Sequence, residues 1–448
     1  MIKTTLTWNK FDIMTKYNFD KPVNRKGTNC SKWDKVPALY GKKNLIAMWV
    51  ADMDFLTPKF FTDAYAAKTK NSVLGYGMRP EAWSDSIIAW FKERYNWKII
   101  KDQLGFVPGI VVGLSHALRC FTKPGDKVLI MPPVYHPFRM QIEAARCKVV
   151  NSPLKIVESK SAKGYISEDF EIDFADLEKK MKGCKVMILC NPHNPGGRVW
   201  SRAELKKIAD ICLKNNVLVF SDEIHCDLMN KKHVPFALVN ARQAANTITF
   251  HAPSKTFNCA GIGASEWVAT NRELWTKFTT YLNDGEFDEG HHGAFLPAQY
   301  LYSKRGKEWL EQAMAYITAN INYVEEFLRE NFTVDTLEFS GRSVKVAGAD
   351  GLGEEQLAEA KIGKTQLITM IRPEASFLIF IDFRRLGLSQ QELVDLCVSG
   401  AHLALNDGTM FGEGGEGFMR LNVGCTRALL EKAMINLKKA VEKKLSKK

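Results

Sequence analysis

Between roughly positions 105 and 270 the chain alternates short apolar runs with segments whose apolar residues recur every three or four positions. The runs 127–131 (KVLIM), 185–190 (KVMILC), 217–220 (VLVF) and 247–251 (TITFH) read as buried strands. The stretches 136–146, 174–181 and 202–215 read as helices, and Ser201 with Glu204 forms a capping box at the start of the last. Strand alternating with helix predicts a mostly parallel sheet covered on both faces. In such a sheet ligands sit just beyond the carboxyl ends of the strands, so chemistry is sought there.

The rest of the pattern describes a second unit. Residues 373–383 contain the β-rich run SFLIFIDF, and a helix opens near 389–392 (SQQE). Leu430, Met434, Leu437, Val441 and Leu445 recur at helical spacing, with lysines toward that helix's C-terminus, where its dipole favours cations. Residues 340–364, rich in Gly, Ala, Glu and Lys, predict a surface excursion. No internal repeat or low-complexity tract interrupts this plan.

Composition narrows the class without naming it. The 448 residues suit two or three domains, and 46% hydrophobic with 25% charged residues excludes a disordered or fibrous chain. No window reaches the roughly 18 continuous apolar residues of a membrane span, and the first nineteen residues lack the apolar core of a secretory signal. Ten cysteines without a CxxC pair read as reduced, mostly buried thiols of a cytoplasmic protein. The net charge of +12 is partly local, since 442–448 holds four lysines and one glutamate, and such a tail reads as a solvated helix end.

Four strand ends carry polar groups. Tyr135 follows the first run, Asn191 and Asn194 the second, Asp222 and His225 the third, and Lys255 the fourth. A lysine, a carboxylate, an amide and an aromatic ring in one crevice suit a pyridine cofactor bearing an aldehyde. The lysine forms a Schiff base, the carboxylate keeps the ring nitrogen protonated, and the aromatic stacks. Each residue alone has a plainer reading: a helix cap for the aspartate, a solvated side chain for the lysine, packing for the tyrosine. Their joint order in one α/β unit favours the cofactor. The turn 107–113 (VPGIVVG) running into a helix at 114–121 offers free N–H groups to a phosphate, although a plain helix start reads the same way.

With these residues in place, the chain resembles a fold-type I pyridoxal 5'-phosphate (PLP) enzyme of the class I/II aminotransferase superfamily. The resemblance rests on Lys255 within APSKTFN, on Asn191-Pro192 and on Ser221-Asp222-Glu223. It sharpens to the MalY/PatB-type cystathionine β-lyases through Gly27-Thr28, Lys32-Trp33-Asp34, Met48-Trp49, Asp52-Met53-Asp54-Phe55, Gly75-Tyr76-Gly77, His225, Ala404 to Gly408, and Arg420-Leu421-Asn422. It implies an N-terminal arm with part of the small domain over 1–49, a large PLP-binding domain over 50–297, and a small C-terminal α+β domain over 298–448. It also implies that Lys255 anchors the cofactor, Asp222 pairs with the ring nitrogen, and Tyr135 stacks on the ring. Asn194 and His225 would sit at the ring, and Ile110, Val111 and Ser254 at the phosphate. Tyr76 would reach the cofactor of a second subunit in a homodimer, and Arg420 would grip the substrate carboxylate.

The implied activity is carbon–sulfur β-elimination from L-cystathionine or related cysteine S-conjugates, giving a thiol, pyruvate and ammonia. An aminotransferase, or a regulatory protein keeping the fold, is the rival. Partners on this reading are small sulfur amino acids, with no nucleic acid, membrane or metal. The wider class often has Arg eight residues after the lysine and Ser three before it; here Gly263 and Ala252 stand there. Three other motifs are decoys. The GxGxxG at 412–417 lacks a preceding strand, Gly363-Lys364-Thr365 lacks the first glycine of a P-loop, and His291-His292 lacks further metal ligands.

Overall fold

A seven-stranded sheet organises the molecule. Its strands run in the order Leu104–Val107, Ser265–Val268, Thr247–His251, Leu218–Asp222, Cys184–Cys190, Lys127–Ile130 and Lys148–Asn151. The last five are mutually parallel, while Ser265–Val268 is antiparallel to both its neighbours. The computed structural model describes residues 16–70, 73, 75, 77–161, 165–291, 293–339, 342–345 and 361–446.

The apolar runs are continuous because both faces of the sheet are covered. In Cys184–Cys190, Val186 and Ile188 pack with Leu114, Leu118 and Phe138 of the helices Ile110–Phe121 and Pro137–Ala144 on one side. Met187 and Leu189 pack with Leu177, Leu205 and Ile208 of the helices Phe174–Met181 and Arg202–Lys214 on the other. Period-two alternation thus persists, hidden because neither face meets water. Ser201 caps its helix as expected, accepting from the Glu204 amide while the Glu204 carboxylate takes the Ser201 amide. The helix expected over 114–121 starts four residues earlier, at Ile110.

A six-stranded sheet forms the second layer, in the order Asn406–Asp407, Phe418–Asn422, Leu378–Asp382, Thr369–Ile371, Ile166–Glu171 and Lys155–Lys160. Its last two strands come from the middle of the chain and join through a single parallel pair, Ile371 with Glu168. The helices Lys304–Asn331 and Arg427–Leu445 pack together. The short strand Ile46–Ala47 pairs with Leu403–Ala404, so the N-terminal segment lies against the C-terminal part of the chain.

The stretch 340–364, expected as a surface excursion, contains regular structure. Arg342–Lys345 and Lys361–Gln366 are strands flanking Thr333–Phe339 in a three-stranded antiparallel sheet. A hairpin pairing for Arg342–Lys345 and a longer-range one for Lys361–Gln366 supply what a Gly- and Lys-rich composition does not advertise; residues 340–341 and 346–360 lie outside the described ones. The glycines 412–417 precede the strand Phe418–Asn422 instead of following one, which removes the dinucleotide reading. The ten cysteines are all free, and eight are buried. Among the described residues no helix is long and apolar enough to cross a membrane.

Candidate active site

The carboxyl ends of the parallel strands open onto one cavity of about 230 Å³. Tyr135, Asn194, Asp222, His225, Ser254, Lys255, Ile110 and Val111 all line it, joined by Ala51, which sequence reasoning gave no role. Of the expected site residues, eight therefore meet at one place. Arg420 stands immediately beside them, hydrogen-bonded to Asn194. Tyr76 lies outside the described residues.

Each position follows from a local reason. Asp222 is the last residue of its strand, 3% exposed, with the Ile224 amide donating to it at 3.2 Å. One hydrogen bond compensates little of the lost hydration, so burial lifts its carboxyl from the usual 3.8 to about 7. Lys255 lies in the turn of helix Pro253–Thr256 directly after Thr247–His251. Its ammonium donates to the Ala51 carbonyl at 2.7 Å, and burial lowers its pKa despite the carboxylates of Asp52 and Asp222 nearby. His225 is 2% exposed and its Nδ1 has no partner; burial, with the Lys255 and Arg420 charges, pushes it down to about 3, so it is a neutral imidazole.

At the opposite wall, burial raises the Tyr135 phenol to about 12, so it too stays neutral. Gly109, at φ 140°, is the N-cap of the helix Ile110–Phe121, whose first residues, Ile110 and Val111, line the cavity. That region of φ suits glycine, and the free N–H groups with the helix dipole form an anion cradle. Gly263, where the wider class has arginine, sits at φ 69°, and a Cβ there would lie 3.2 Å from the Pro108 carbonyl oxygen. The departure seen in the sequence is thus a steric fit against the cradle's own loop.

Arg420 comes from the six-stranded sheet. Its guanidinium donates to Asn194 Oδ1 at 3.0 Å, to Asn406 Oδ1 at 2.6 Å and to the Trp49 carbonyl at 2.8 Å, and it lies over the Phe411 ring. Nε has no partner, and burial lowers its pKa from 12.5 to about 10. Asn406, Phe411 and the Trp49 and Ala51 carbonyls went unassigned in the sequence. Asn406 was visible within its motif, but a backbone carbonyl leaves no mark on a residue string.

Chemically the cavity offers an amine, a carboxyl set to titrate near neutrality, an anion cradle and a guanidinium. Known proteins resemble this chain in sequence and fold. The family described as "Aminotransferase class I and II" matches residues 43–334. The chain is 37% identical over 428 residues to cystathionine beta-lyase PatB of Bacillus subtilis (strain 168), covering 95% of this chain and 100% of that protein. Cystalysin from Treponema denticola, solved with a pyridoxal 5'-phosphate cofactor, superposes at a TM-score of 0.81 with 30% identity, covering 95% and 99% of the two chains. The PLP-bound C-S lyase from Staphylococcus hominis gives 0.78 and 29%, covering 95% and 98%.

Proposed function

The chain belongs to the class I and II aminotransferase family, in the branch of the PatB and MalY proteins, and from there we propose that it is a PLP-dependent carbon–sulfur β-lyase. The observation that carries the reading is the meeting of Lys255, Asp222 and the Ile110–Val111 amides around one cavity, with Arg420 at its edge. That donor set fits PLP: an amine for the aldehyde, a buried carboxyl for the ring nitrogen, and amides for the phosphate. When bound, PLP supplies an electron sink for negative charge developing at the substrate α-carbon.

The chain's own groups do the rest. Asp222 is lifted chiefly by burial, with the Glu223 carboxylate adding to it, so a cationic ring nitrogen would offset the penalty and hold it ionised. Arg420, pinned by Asn194, Asn406 and the Trp49 carbonyl, keeps its Nε–H and one terminal N–H for the substrate carboxylate, a fixed planar arrangement that Lys cannot copy. Asn194 keeps its amide N–H for the ring oxygen while its carbonyl holds Arg420. Lys255, its pKa lowered by burial, takes the α-proton as a free amine. A thiol departs from the β-carbon readily, since its pKa of about 8.5 makes thiolate a far better leaving group than alkoxide.

L-Cystathionine or a related cysteine S-conjugate is the substrate in this reading, with a thiol, pyruvate and ammonia as products. Incubating the purified protein with L-cystathionine, with and without 2-oxoglutarate, tests it. Thiol and pyruvate without the oxo acid are expected; product only with it would make the protein a transferase. Lys255→Ala should abolish turnover and the visible absorption of the loaded protein. The reading also makes the chain a cytoplasmic homodimer. Supporting that, Val73 and Met78, on either side of Tyr76, are 91% and 89% exposed, an apolar surface for a second copy. Light scattering after gel filtration checks the dimer.

A further inference from the structure

The segment from Trp49 to Met53 has no regular secondary structure, yet each of its carbonyls accepts from a side chain elsewhere in the chain. Trp49 O takes the Arg420 guanidinium at 2.8 Å, and Val50 O takes the Asn422 amide at 2.6 Å. Ala51 O takes the Lys255 ammonium at 2.7 Å. Asp52 O takes Asn422 at 2.6 Å and Lys32 at 3.1 Å, and Met53 O takes Asn258 at 2.9 Å and Arg25 at 3.1 Å. Lys255 follows a strand of one sheet and Arg420 lies in a strand of the other, but two residues of one strap set their spacing.

A strap without a ladder needs another anchor, and the anchor is ionic. Lys32 is 1% exposed and donates to Asp54 Oδ2 at 2.8 Å. Arg25 spans Asp52 at 2.7 Å and Asp54 at 2.9 Å. The Trp33 indole donates to Asp54 at 3.0 Å, and the Trp49 indole returns a bond to the Lys32 carbonyl at 2.8 Å. Two cations thus balance two carboxylates at the strap's outer side, while its inner side holds the two reactive cations. Burying an ion pair is a poor way to gain stability alone, and fixing geometry is its better-attested use.

We infer that Lys32 is a positioning residue for the reaction: through Asp54 and the Asp52 carbonyl it fixes the strap whose neighbouring carbonyls hold Lys255 and Arg420 in register. The inference rests on the reading of Lys255 as the cofactor's anchor. Ala51 O is the acceptor at which the Lys255 amine waits when it is not bonded to the cofactor. Displacing such a partner by about 1 Å costs on the order of 100-fold in rate.

Lys32→Met in the holoenzyme tests this, read in three ways. We expect kcat/KM on L-cystathionine to fall about tenfold or more. Lys255 is faced by Asp52, Asp222, Arg420, Cys259 and His225. With Lys32 gone, the Asp52 carboxylate acts on Lys255 with less compensation, so the acid limb of the kcat/KM–pH profile should move to higher pH. In the cofactor-free protein, amide hydrogen exchange over 48–55 should quicken. An unchanged acid limb with unchanged exchange overturns the inference, whatever happens to activity. If Lys32→Met does not fold, Trp49→Phe removes only the indole bond to the Lys32 carbonyl and is read by the same exchange measurement and by kcat/KM. Faster exchange over 48–55 with a lowered kcat/KM then supports the positioning role, and unchanged exchange overturns it. A wild-type protein showing no visible cofactor band defeats the underlying reading instead, so the two failures are distinct.

Discussion

Arg420 donates to the side-chain oxygen of Asn194 across 3.0 Å, a bond between the six-stranded sheet and a strand-end loop of the seven-stranded sheet. Both residues are buried, so water is not available to replace either partner. The bond therefore sets where the guanidinium points, and with it the orientation of any carboxylate it receives.

Asn194→Ala should lower kcat/KM on L-cystathionine by about 10- to 100-fold, the cost of leaving a charged buried donor unpaired. Arg420→Lys should lose at least as much, because one ammonium cannot serve Asn194, Asn406 and a carboxylate in a plane. Steady-state kinetics on the purified variants decide this. In both, KM should rise more than kcat falls if the role is to hold substrate.

The Asp222 carboxyl makes the cofactor-free protein pH-sensitive. Its pKa is about 7 in the folded chain against 3.8 when free, so between those values the folded state holds a proton that the unfolded state has released. Stability must then fall as pH rises from about 4 to about 7 and level off above, by roughly 4 kcal/mol for a shift near three units. Urea titrations of cofactor-free protein at pH 5 and pH 8.5 should show the loss. Asp222→Asn should remove that part of the slope, and saturating PLP should flatten it.

Behind the cavity, Glu266 accepts from the His251 Nδ1 at 2.5 Å and from the Tyr302 hydroxyl at 2.6 Å, all three buried. Against the opposing effect of burial, the carboxylates of Asp227 and Glu266 raise the His251 imidazole well above its usual value, so it is a cation here. Stability from this group is fully present below about pH 6.5 and is lost only as pH climbs through the raised value. Glu266→Gln removes one of the two carboxylates facing this buried cation, leaving Asp227 at 3.3 Å, and we expect it to cost about 1–3 kcal/mol at pH 6.5 in denaturant titrations. The penalty should shrink at high pH, where the imidazole is neutral in either protein.

The parallel sheet was legible because every one of its long strands is buried on both faces and flanked by helices with clean 3.6-residue spacing. The strand-end residues were legible for the same reason, since the topology dictates where Tyr135, Asn194, Asp222 and Lys255 must converge. What stayed hidden depends on partners far apart in the chain. The strand Lys361–Gln366 exists through pairing with Thr333–Phe339, not through its own composition. The strap acts through backbone carbonyls, which every sequence supplies alike. Asn406 could be seen as a motif residue, but its bond to Arg420 requires two strands to be adjacent.

Gly263 offers the last prediction. In the wider class an arginine at this point looks like a lost phosphate ligand, which suggests that restoring a side chain should help. The backbone says otherwise. Gly263 is at φ 69°, and an added Cβ would press on the Pro108 carbonyl at 3.2 Å, one residue before the Gly109 turn that opens the amide cradle. A residue with a Cβ costs about 1–2 kcal/mol in that left-handed region, and the contact with Pro108 would shift the cradle itself. Gly263→Ala should therefore lower thermal stability and weaken PLP retention in equilibrium dialysis, and Gly263→Arg should do worse on both. Tighter PLP binding by the arginine variant would show that the loop yields and that the cradle does not depend on this glycine.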